Sequence, residues 1–190
     1  MHRDDSTLLI AMRRGDQSAA AVLWARHASR LLAYATTIVG RADAEDVVQD
    51  ALVRALTADH AVLGAVEDVP AWLLVLVRRT ALNSLRSSRR RRGREGRVAA
   101  GPRVYTVTHP ADAVAAEVAA LPRRLREVVV LRHVCGLTLA QCAAAVGVHI
   151  STVAGRSRDA AEMLRASLEV GGARLETRGE RGRVHEVANG

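Results

Sequence analysis

Residues 121–168 read LPRRLREVVVLRHVCGLTLAQCAAAVGVHISTVAGRSRDAAEMLRASL, and this stretch decides the fold of the second half of the chain. Its pattern predicts a helix, a short helix, a turn at Gly147 and then a longer helix with one polar face. Thr138 is expected to cap the short helix, and Ser151 or Thr152 to open the longer one. This order is typical of a helix-turn-helix unit, which places its second helix in the major groove of DNA. The stretch therefore favours promoter binding over bond chemistry.

The composition is that of a basic and helical protein. Hydrophobic residues make up 49% of the 190 positions, but aromatic residues only 2%, and there is no Phe, so Ala, Val and Leu must build the core. Small helical modules suit such a core better than a β-sandwich does. All 28 basic residues are Arg, and the formal net charge is +8. The codon bias of a GC-rich genome explains most of the preference for Arg over Lys but not the excess of positive charge, which predicts a polyanionic partner.

The cysteine content and the hydrophobic stretches of the sequence predict the cellular compartment of the protein. Two Cys cannot form a disulfide framework, and the acidic N-terminus carries no signal-peptide hydrophobic stretch. No apolar run approaches the roughly 18 residues of a membrane span. We therefore expect a cytoplasmic protein with no membrane insertion.

Residues 1–92 read as a bundle of four helices. The first is a short apolar-faced segment over residues 5–14. The second begins after Asp16 and ends at Gly40, since Gly commonly closes a helix.

The third helix is predicted to start at an Asp43 N-cap, with Asp46 three residues later in a capping-box position. One stripe at helical spacing is apolar: Val47, Val48, Ala51, Leu52, Ala55 and Leu56. The outer face is left with Asp46, Gln49, Asp50 and Arg54.

Residues 57–69 carry few secondary-structure signals and are predicted to form a loop. If this domain binds a flipped base, this loop is the predicted binding site. The fourth helix begins with Asp68 as its cap and Pro70 in its first turn, and Trp72 is expected to pack in the core. Four polar side chains recur on its other face: Arg78, Arg79, Asn83 and Arg86. Such a face is either merely solvated, or its Arg side chains hold phosphate while the Asn reads a base edge.

The composition changes sharply after the fourth helix. Seven Arg and one Glu lie between residues 86 and 97, a net charge of +6, and the chain then turns to Gly, Pro, Arg and Thr without any period. This predicts a flexible basic linker at 93–111 between a first domain at 1–92 and a second at 112–170. The Gly-, Arg- and Glu-rich residues 171–190 are predicted to form a disordered tail. The predicted fold class is therefore all-α, with two small helical domains.

Two segments of the first domain carry a family resemblance. Residues 41–56 read RADAEDVVQDALVRAL, and residues 70–92 read PAWL…RRTALNSLR followed by a run of Arg. With the helix-turn-helix in this order and spacing, the chain resembles an extracytoplasmic-function (ECF, group IV) sigma factor of the sigma-70 family, in actinobacterial style. The resemblance covers about residues 6–92 and 112–168, and it implies a sigma2-like helical bundle and a sigma4-like helix-turn-helix domain.

The resemblance also implies partners and roles. The first domain would bind the β′ clamp of core RNA polymerase and melt and read the −10 element of promoter DNA, while the second would read the −35 element and touch the β flap. The polymerase-binding residues would be Asp46, Gln49, Asp50 and Arg54. The DNA-binding residues would be Arg78, Arg79, Asn83, Arg86, Ser151, Thr152, Arg156 and Arg158. An anti-sigma factor is an expected partner, because such factors are usually held inactive by one; for each set of residues, a solvated face is the plain alternative.

The chain departs from the family pattern at its reading positions. Arg79 stands where Asn is common and Asn83 where Asp is frequent, which predicts an unusual −10 preference. On the recognition helix Ala154 and Gly155 are trimmed, and Asp159 would repel phosphate, so the −35 reading is expected to be weak or altered. The alternative is a sigma-like module that sequesters an anti-sigma factor or docks on polymerase without reading DNA. A stand-alone helix-turn-helix repressor would leave the first domain without a role.

Neither a metal site nor an enzyme is predicted. His133, Cys135, Cys142 and His149 lack the paired Cys-x-x-Cys spacing of structural zinc sites. Cys142 is expected in the core and Cys135 on the surface. The chain has no Lys and hence no Walker A motif, and it has neither His-Glu-x-x-His nor Gly-x-Ser-x-Gly. No cofactor is therefore expected.

Overall fold

The computed structural model describes residues 4–95 and 110–186, with side chains over 4–59, 62–90 and 114–169. The first domain contains α1 (Asp5–Arg13), α2 (Gln17–Val39), α3 (Arg41–Leu56), α4 (His60–Gly64) and α5 (Val69–Glu95). The second contains α6 (Pro110–Ala120), α7 (Arg123–Val129), a π-helical turn (Val130–Val134), α8 (Leu139–Val146) and α9 (Ile150–Glu186). No strand occurs in the described ranges, and the predicted all-α class with two helical domains is confirmed.

The first domain is built on α2, α3 and α5, which pack on one another, with α1 against α2. The start of α2 is fixed by Asp16, whose Oδ1 accepts hydrogen bonds from the backbone N of Ser18 at 3.0 Å and of Ala19 at 3.1 Å. Its end is fixed by Gly40, whose φ is +87°. Gly adopts a positive φ more readily than any other residue. Both limits of α2 agree with the sequence prediction.

The start of α3 differs from the prediction. The helix begins at Arg41 directly after Gly40, so Asp43 lies inside the first turn and makes no capping bond. The predicted Asp43 N-cap was wrong because Gly40 ends one helix and starts the next, which leaves no room for a separate cap. Val47, Val48, Ala51 and Ala55 are buried as predicted, whereas Leu56 at the end of the stripe is 38% exposed.

Helix α5 follows its sequence signals closely. Asp68 Oδ1 accepts a hydrogen bond from Ala71 N at 2.9 Å, so the predicted cap of α5 is present. Trp72 is partly buried and packs against the core, as expected. The segment predicted as a loop before α5 contains the five-residue helix α4, because no strong breaker interrupts His60–Gly64.

The second domain has the predicted helix-turn-helix. Thr138 Oγ1 accepts from Gln141 N, and the Gln141 side chain accepts from Thr138 N, which completes a capping box at the start of α8. Gly147 has a φ of +72° and ends α8 in the left-handed region. The recognition helix α9 begins at Ile150, one residue before the predicted Ser151.

The sequence pattern predicts a buried seam on α9 that consists of Val153, Ser157, Ala160, Leu164 and Leu168, and the observed seam is shorter. Val153 and Ala160 are buried, and Ser157 and Leu164 are half-buried. Leu168 is 48% exposed.

The predicted domain limits at 1–92, 93–111 and 112–170 stay predictions. Helix α5 continues to Glu95 and α6 starts at Pro110, and the rest of the predicted linker lies outside the described residues. Helix α9 continues to Glu186, over most of the segment predicted as a disordered tail. The prediction of disorder gave weight to the Gly residues of this segment, but its Arg, Glu, Ala and Leu residues have good helix propensity.

The two domains share one apolar core. Helix α2 packs on α7 and on the π-helical turn, while α5 packs against α8. Buried side chains of the second domain join the cluster formed by the first, among them Val128, Leu131, Cys135 and Cys142. In this structure the domains are therefore in direct contact.

Candidate polymerase and nucleic-acid interface

The outer face of α3 is an exposed acidic surface. Asp46, Gln49, Asp50 and Arg54, the four residues predicted to bind polymerase, are all exposed. Their orientation is set by the buried apolar stripe on the opposite side, which packs on α2 and α5.

Sequence reasoning missed part of this surface. Asp43 makes no capping hydrogen bond and is exposed, and the nearby Glu45 is exposed as well. Val53, on the same face at helical spacing from Asp46 and Asp50, is 57% exposed. Mixed charged and apolar exposure is usual for the rim and edge of a protein–protein interface.

The polar face of α5 contains three of the four DNA-binding residues that were predicted on this helix. Arg79, Asn83 and Arg86 are exposed and recur at i, i+4 and i+7, so they form one stripe. Arg86 Nη1 donates a hydrogen bond to Asn83 Oδ1 at 3.4 Å. A stripe with two cations and one amide can hold phosphate and read one base edge.

Arg78 does not share that stripe. It is half-buried, and its Nε donates to Glu127 Oε1 of the second domain at 2.7 Å. Consecutive helical residues are rotated by about 100°, so Arg78 lies in register with the half-buried Leu82 and Leu85 rather than with Arg79. That spacing is the sequence signal that could have separated the two Arg residues.

Glu127 itself is a polar residue in a buried place. It is 5% exposed, and its Oε1 also accepts a hydrogen bond from Tyr34 Oη at 2.8 Å. Tyr34 is fully buried on α2, and burial together with the Glu127 carboxylate raises the pKa of its phenol far above the ordinary value. Tyr34, Arg78 and Glu127 thus form a polar cluster between the domains, and sequence analysis did not single out Tyr34 or Glu127.

The start of the recognition helix exposes the residues predicted to open it. Ser151 and Thr152 are exposed in the first turn of α9. His149 Nδ1 lies 2.8 Å from Ser151 Oγ and 3.3 Å from Ser151 N, so His149 covers the helix start in the manner of a cap. The role of His149 as a local partner of Ser151 was not predicted.

The groove-facing positions of α9 combine cations with small residues. Arg158 is exposed and Arg156 is half-buried, while Asp159 is exposed beside them. A Cβ atom placed on Gly155 would meet no other atom within 4 Å. The absence of a side chain at Gly155 is therefore not imposed by crowding within the chain.

The two thiols lie inside the molecule. Cys142 is fully buried, as predicted, but Cys135 is only 4% exposed, so the prediction that it lies on the surface was wrong. Its Sγ is 3.8 Å from the backbone O of Arg30 on α2, which shows that the other domain covers it. Burial raises the pKa of the Cys135 thiol to about 12 and also raises that of Cys142, so both thiols stay protonated and weakly nucleophilic near neutral pH.

Among the described side chains, no three His, Cys, Asp or Glu are grouped so that they could hold a metal ion. None of the helices in the described ranges is both long enough and apolar enough to cross a membrane.

Comparison with known proteins gives matches over both domains. Residues 23–91 match the family Sigma-70 region 2, and residues 111–164 match the family Sigma-70, region 4. The ECF RNA polymerase sigma factor EcfG of Rhodopseudomonas palustris (strain TIE-1) is 33% identical over 153 residues, which are 75% of this chain and 81% of the relative.

Two solved structures are similar to the whole arrangement. CnrH in complex with the cytosolic domain of CnrY gives a TM-score of 0.60 at 26% identity, covering 87% of this chain and 97% of the other. The sigma factor RpoE of Bartonella quintana, in complex with the anti-sigma factor NepR, gives a TM-score of 0.55 at 27% identity, covering 83% and 98%.

Proposed function

Since the chain belongs to the ECF sigma factors of the sigma-70 family, we propose that the outer face of α3 binds polymerase while α5 and α9 contact the promoter. A sigma factor of this family binds core RNA polymerase and directs promoter-specific initiation, and it performs no bond chemistry of its own. It would act in the cytoplasm, where the polymerase is.

The polymerase contact is assigned to the exposed acids of α3. Asp46 and Asp50, with Gln49 and Arg54, present their side chains to solvent. In a chain of net charge +8, a local acidic surface is suited to Arg and Lys of a protein partner and unsuited to phosphate. The β′ clamp is the expected site on the polymerase, and Val53 supplies an apolar contact at the same place.

The −10 contact is assigned to α5. Arg79 and Arg86 would hold phosphate, and Asn83, which is exposed between them, would read a base edge with its amide. Arg78 would join them only after its bond to Glu127 is broken, and Arg89 and Arg90, both exposed, would add sequence-independent attraction.

The −35 contact is assigned to the start of α9. Ser151 and Thr152 would bind backbone phosphate at the helix N-terminus, where backbone N–H groups favour anions. Arg156 and Arg158 are the remaining side chains long enough to reach base edges or phosphate. The same domain is expected to touch the β flap. Because Ala154 has no donor and Gly155 no side chain, we expect less sequence discrimination at the −35 element than at the −10 element.

An anti-sigma factor is the further expected partner. Its support is that both similar solved structures are complexes, one with the cytosolic domain of CnrY and one with an anti-sigma factor. The alternative, a module that sequesters an anti-sigma factor without reading DNA, is motivated only by the trimmed residues of α9. The exposure of two separate basic faces favours the sigma factor.

The test is transcription in vitro with core RNA polymerase and fragmented genomic DNA of the host. We expect transcript 5′ ends that share upstream motifs and that are absent without the protein. Variants of α5 should change the −10 motif or abolish the starts, and variants of α9 should act on the −35 motif. Binding to core without any specific start would instead favour the sequestering or docking module.

A further inference from the structure

Glu127 occupies a position that polymerase and promoter contacts do not explain. Carboxylates are seldom buried this deeply unless they are paired, and both partners of Glu127 belong to the other domain. Tyr34 on α2 and Arg78 on α5 donate to the same oxygen, at 2.8 Å and 2.7 Å. One side chain of the second domain therefore binds two helices of the first.

Two other contacts cross the same boundary. Gln141 Nε2 donates to Asp68 Oδ2, so the residue that completes the capping box of α8 is tied to the residue that caps α5. Cys135 lies against the backbone O of Arg30 and is shielded from solvent there. Polar and apolar contacts thus hold the domains together at several separate points.

This arrangement cannot place both domains on one promoter. Elements at −10 and −35 are about 25 base pairs apart, or roughly 85 Å along the DNA at 3.4 Å per base pair. In the structure Gln141 touches Asp68, and Arg79 lies only about 17 Å further along α5 at 1.5 Å per residue. The chain between Glu95 and Pro110 can extend to at most about 50 Å, and α5 from Arg79 to Glu95 adds about 24 Å at 1.5 Å per residue. The contacts between the domains, rather than the length of the chain, therefore set the short distance.

We propose that Glu127 is the latch of a closed state of this chain, and that the latch must release Tyr34 and Arg78 before both promoter elements can be engaged. On release, Arg78 exchanges a carboxylate for a DNA phosphate. That exchange rests on the proposed role of Arg78 at the −10 element, whereas the latch itself rests only on the contacts between the domains.

The apparent affinity for promoter DNA equals the intrinsic affinity multiplied by the open fraction, so the latch lowers it. A hydrogen bond to a charged group is worth about tenfold to a hundredfold in an equilibrium of this kind. Replacing Glu127 by Gln removes the charge but keeps the shape, so we expect the open fraction to rise by about tenfold or more. The concentration needed for half-maximal transcription should fall by up to the same factor.

The native thiols measure the opening directly. Opening uncovers Cys135, which the first domain shields. Cys142 belongs to the same buried cluster, but its helix α8 also packs on α9 of its own domain, so we expect opening to uncover Cys142 less. When closing is fast, the rate of maleimide modification follows the open fraction. The full-length protein would be treated with excess N-ethylmaleimide, and the modification of each cysteine followed by peptide mass spectrometry.

In the wild type we expect Cys135 to react faster than Cys142. In Glu127→Gln the Cys135 rate should rise about tenfold or more, with a smaller rise at Cys142. Glu162→Gln is the matched control, because Glu162 is exposed on α9 and the substitution changes the net charge by the same amount. A Cys135 rate in Glu127→Gln within twofold of the wild type would overturn the latch, and so would equal rates at the two thiols in the wild type.

A charge exchange provides a second measurement in case Glu127→Gln is poorly folded. Glu127→Arg should open the chain and raise the radius of gyration in X-ray scattering from about 16 Å, typical of one compact body of this length, toward about 25 Å for two separated bodies. Arg78→Glu combined with Glu127→Arg should restore the compact value. No expansion in a variant that keeps its helical content, or expansion without restoration, would contradict the proposal.

Failure of the promoter assignment would look different. If Arg78→Ala leaves promoter binding unchanged while Glu127→Gln still accelerates Cys135, the latch stands and Arg78 does not contact the −10 element. If transcription requires Arg78 while the Cys135 rate ignores Glu127, the promoter assignment stands and the latch does not.

Discussion

Gly155 on the recognition helix gives the most direct test of how α9 is built. Substitution by Ala places a Cβ where nothing lies within 4 Å, and Gly155 has no left-handed backbone conformation that Ala would strain. The only large effect left is helix propensity, which favours Ala over Gly by about 1 kcal/mol in a helix interior. Gly155→Ala should therefore stabilise the protein by about 1 kcal/mol.

The size of the shift in melting temperature reports how the domains unfold. If the closed chain unfolds as one unit of 190 residues, the expected rise in Tm is about 2–4 °C, and if the second domain unfolds alone, it is about 4–8 °C. Thermal unfolding followed by circular dichroism would measure it. Ala154→Gly is the mirror control and should lose about 1 kcal/mol. An unchanged or lower Tm for Gly155→Ala would refute the conclusion that α9 is a regular, uncrowded helix at this position.

Three further predictions concern the surfaces and one ion pair. Asp46→Arg with Asp50→Arg should weaken core polymerase binding by tenfold or more without lowering Tm, since both residues are exposed. Unchanged affinity in a pull-down titration would remove the polymerase assignment, and Glu162→Arg with Glu169→Arg, two exposed residues of α9, is the matched control. Arg156→Ala and Arg158→Ala should each weaken promoter binding. The loss should be about 1–3 kcal/mol if the residue contacts a base, whereas the slope of log affinity against log salt concentration should decrease by about 1 if it contacts a phosphate. Anisotropy titrations at several salt concentrations distinguish the two kinds of contact from each other and from the absence of any role. Asp5 accepts hydrogen bonds from Arg26 and His27, at 2.6 Å and 2.8 Å; burial raises its pKa, but these two partners lower it more, so the pKa lies below its ordinary value. Because the folded pKa is the lower one, Asp5 contributes stability above about pH 4 that is lost as the pH falls through the folded value; Asp5→Asn should cost up to about 1 kcal/mol at pH 7, and a cost that persists undiminished at pH 2 would contradict this account.

The helix limits that local chemistry determines could be predicted from the sequence. Asp16, Asp68 and Thr138 accept capping bonds where polar residues precede apolar periodicity, and Gly40 and Gly147 have positive φ where the periodicity stops. These signals depend only on neighbours within four residues. The Asp43 prediction failed for the same local reason, because Gly40 already ends α2 and precedes α3, so that an Asp cap three residues later is not needed.

The exposure of residues at the domain boundary could not be predicted in this way. Cys135 follows the π-helical turn and precedes Gly136, which has a positive φ, and the end of a helix before such a Gly is a place where local sequence predicts exposure. It is buried because α2, more than a hundred residues earlier, covers it. Nothing in the residues around Cys135 encodes that contact. The acidic face of α3, in contrast, depends on one helix alone, and its exposure followed from the periodicity.

Arg78 and Arg79 show how the two kinds of information combine. Both are Arg in the same helix, and composition alone places them together on a DNA-binding face. The helical rotation of about 100° between them separates their directions, so Arg79 joins Asn83 and Arg86 in solvent while Arg78 turns toward Glu127. If residue 127 were apolar, Arg78 would find no carboxylate at the domain boundary and would have to turn toward water. Closing the domains would then not withdraw this cation from the side of α5 that is proposed to contact the promoter. The identity of one residue in the second domain thus determines whether closing the chain competes with DNA binding by the first.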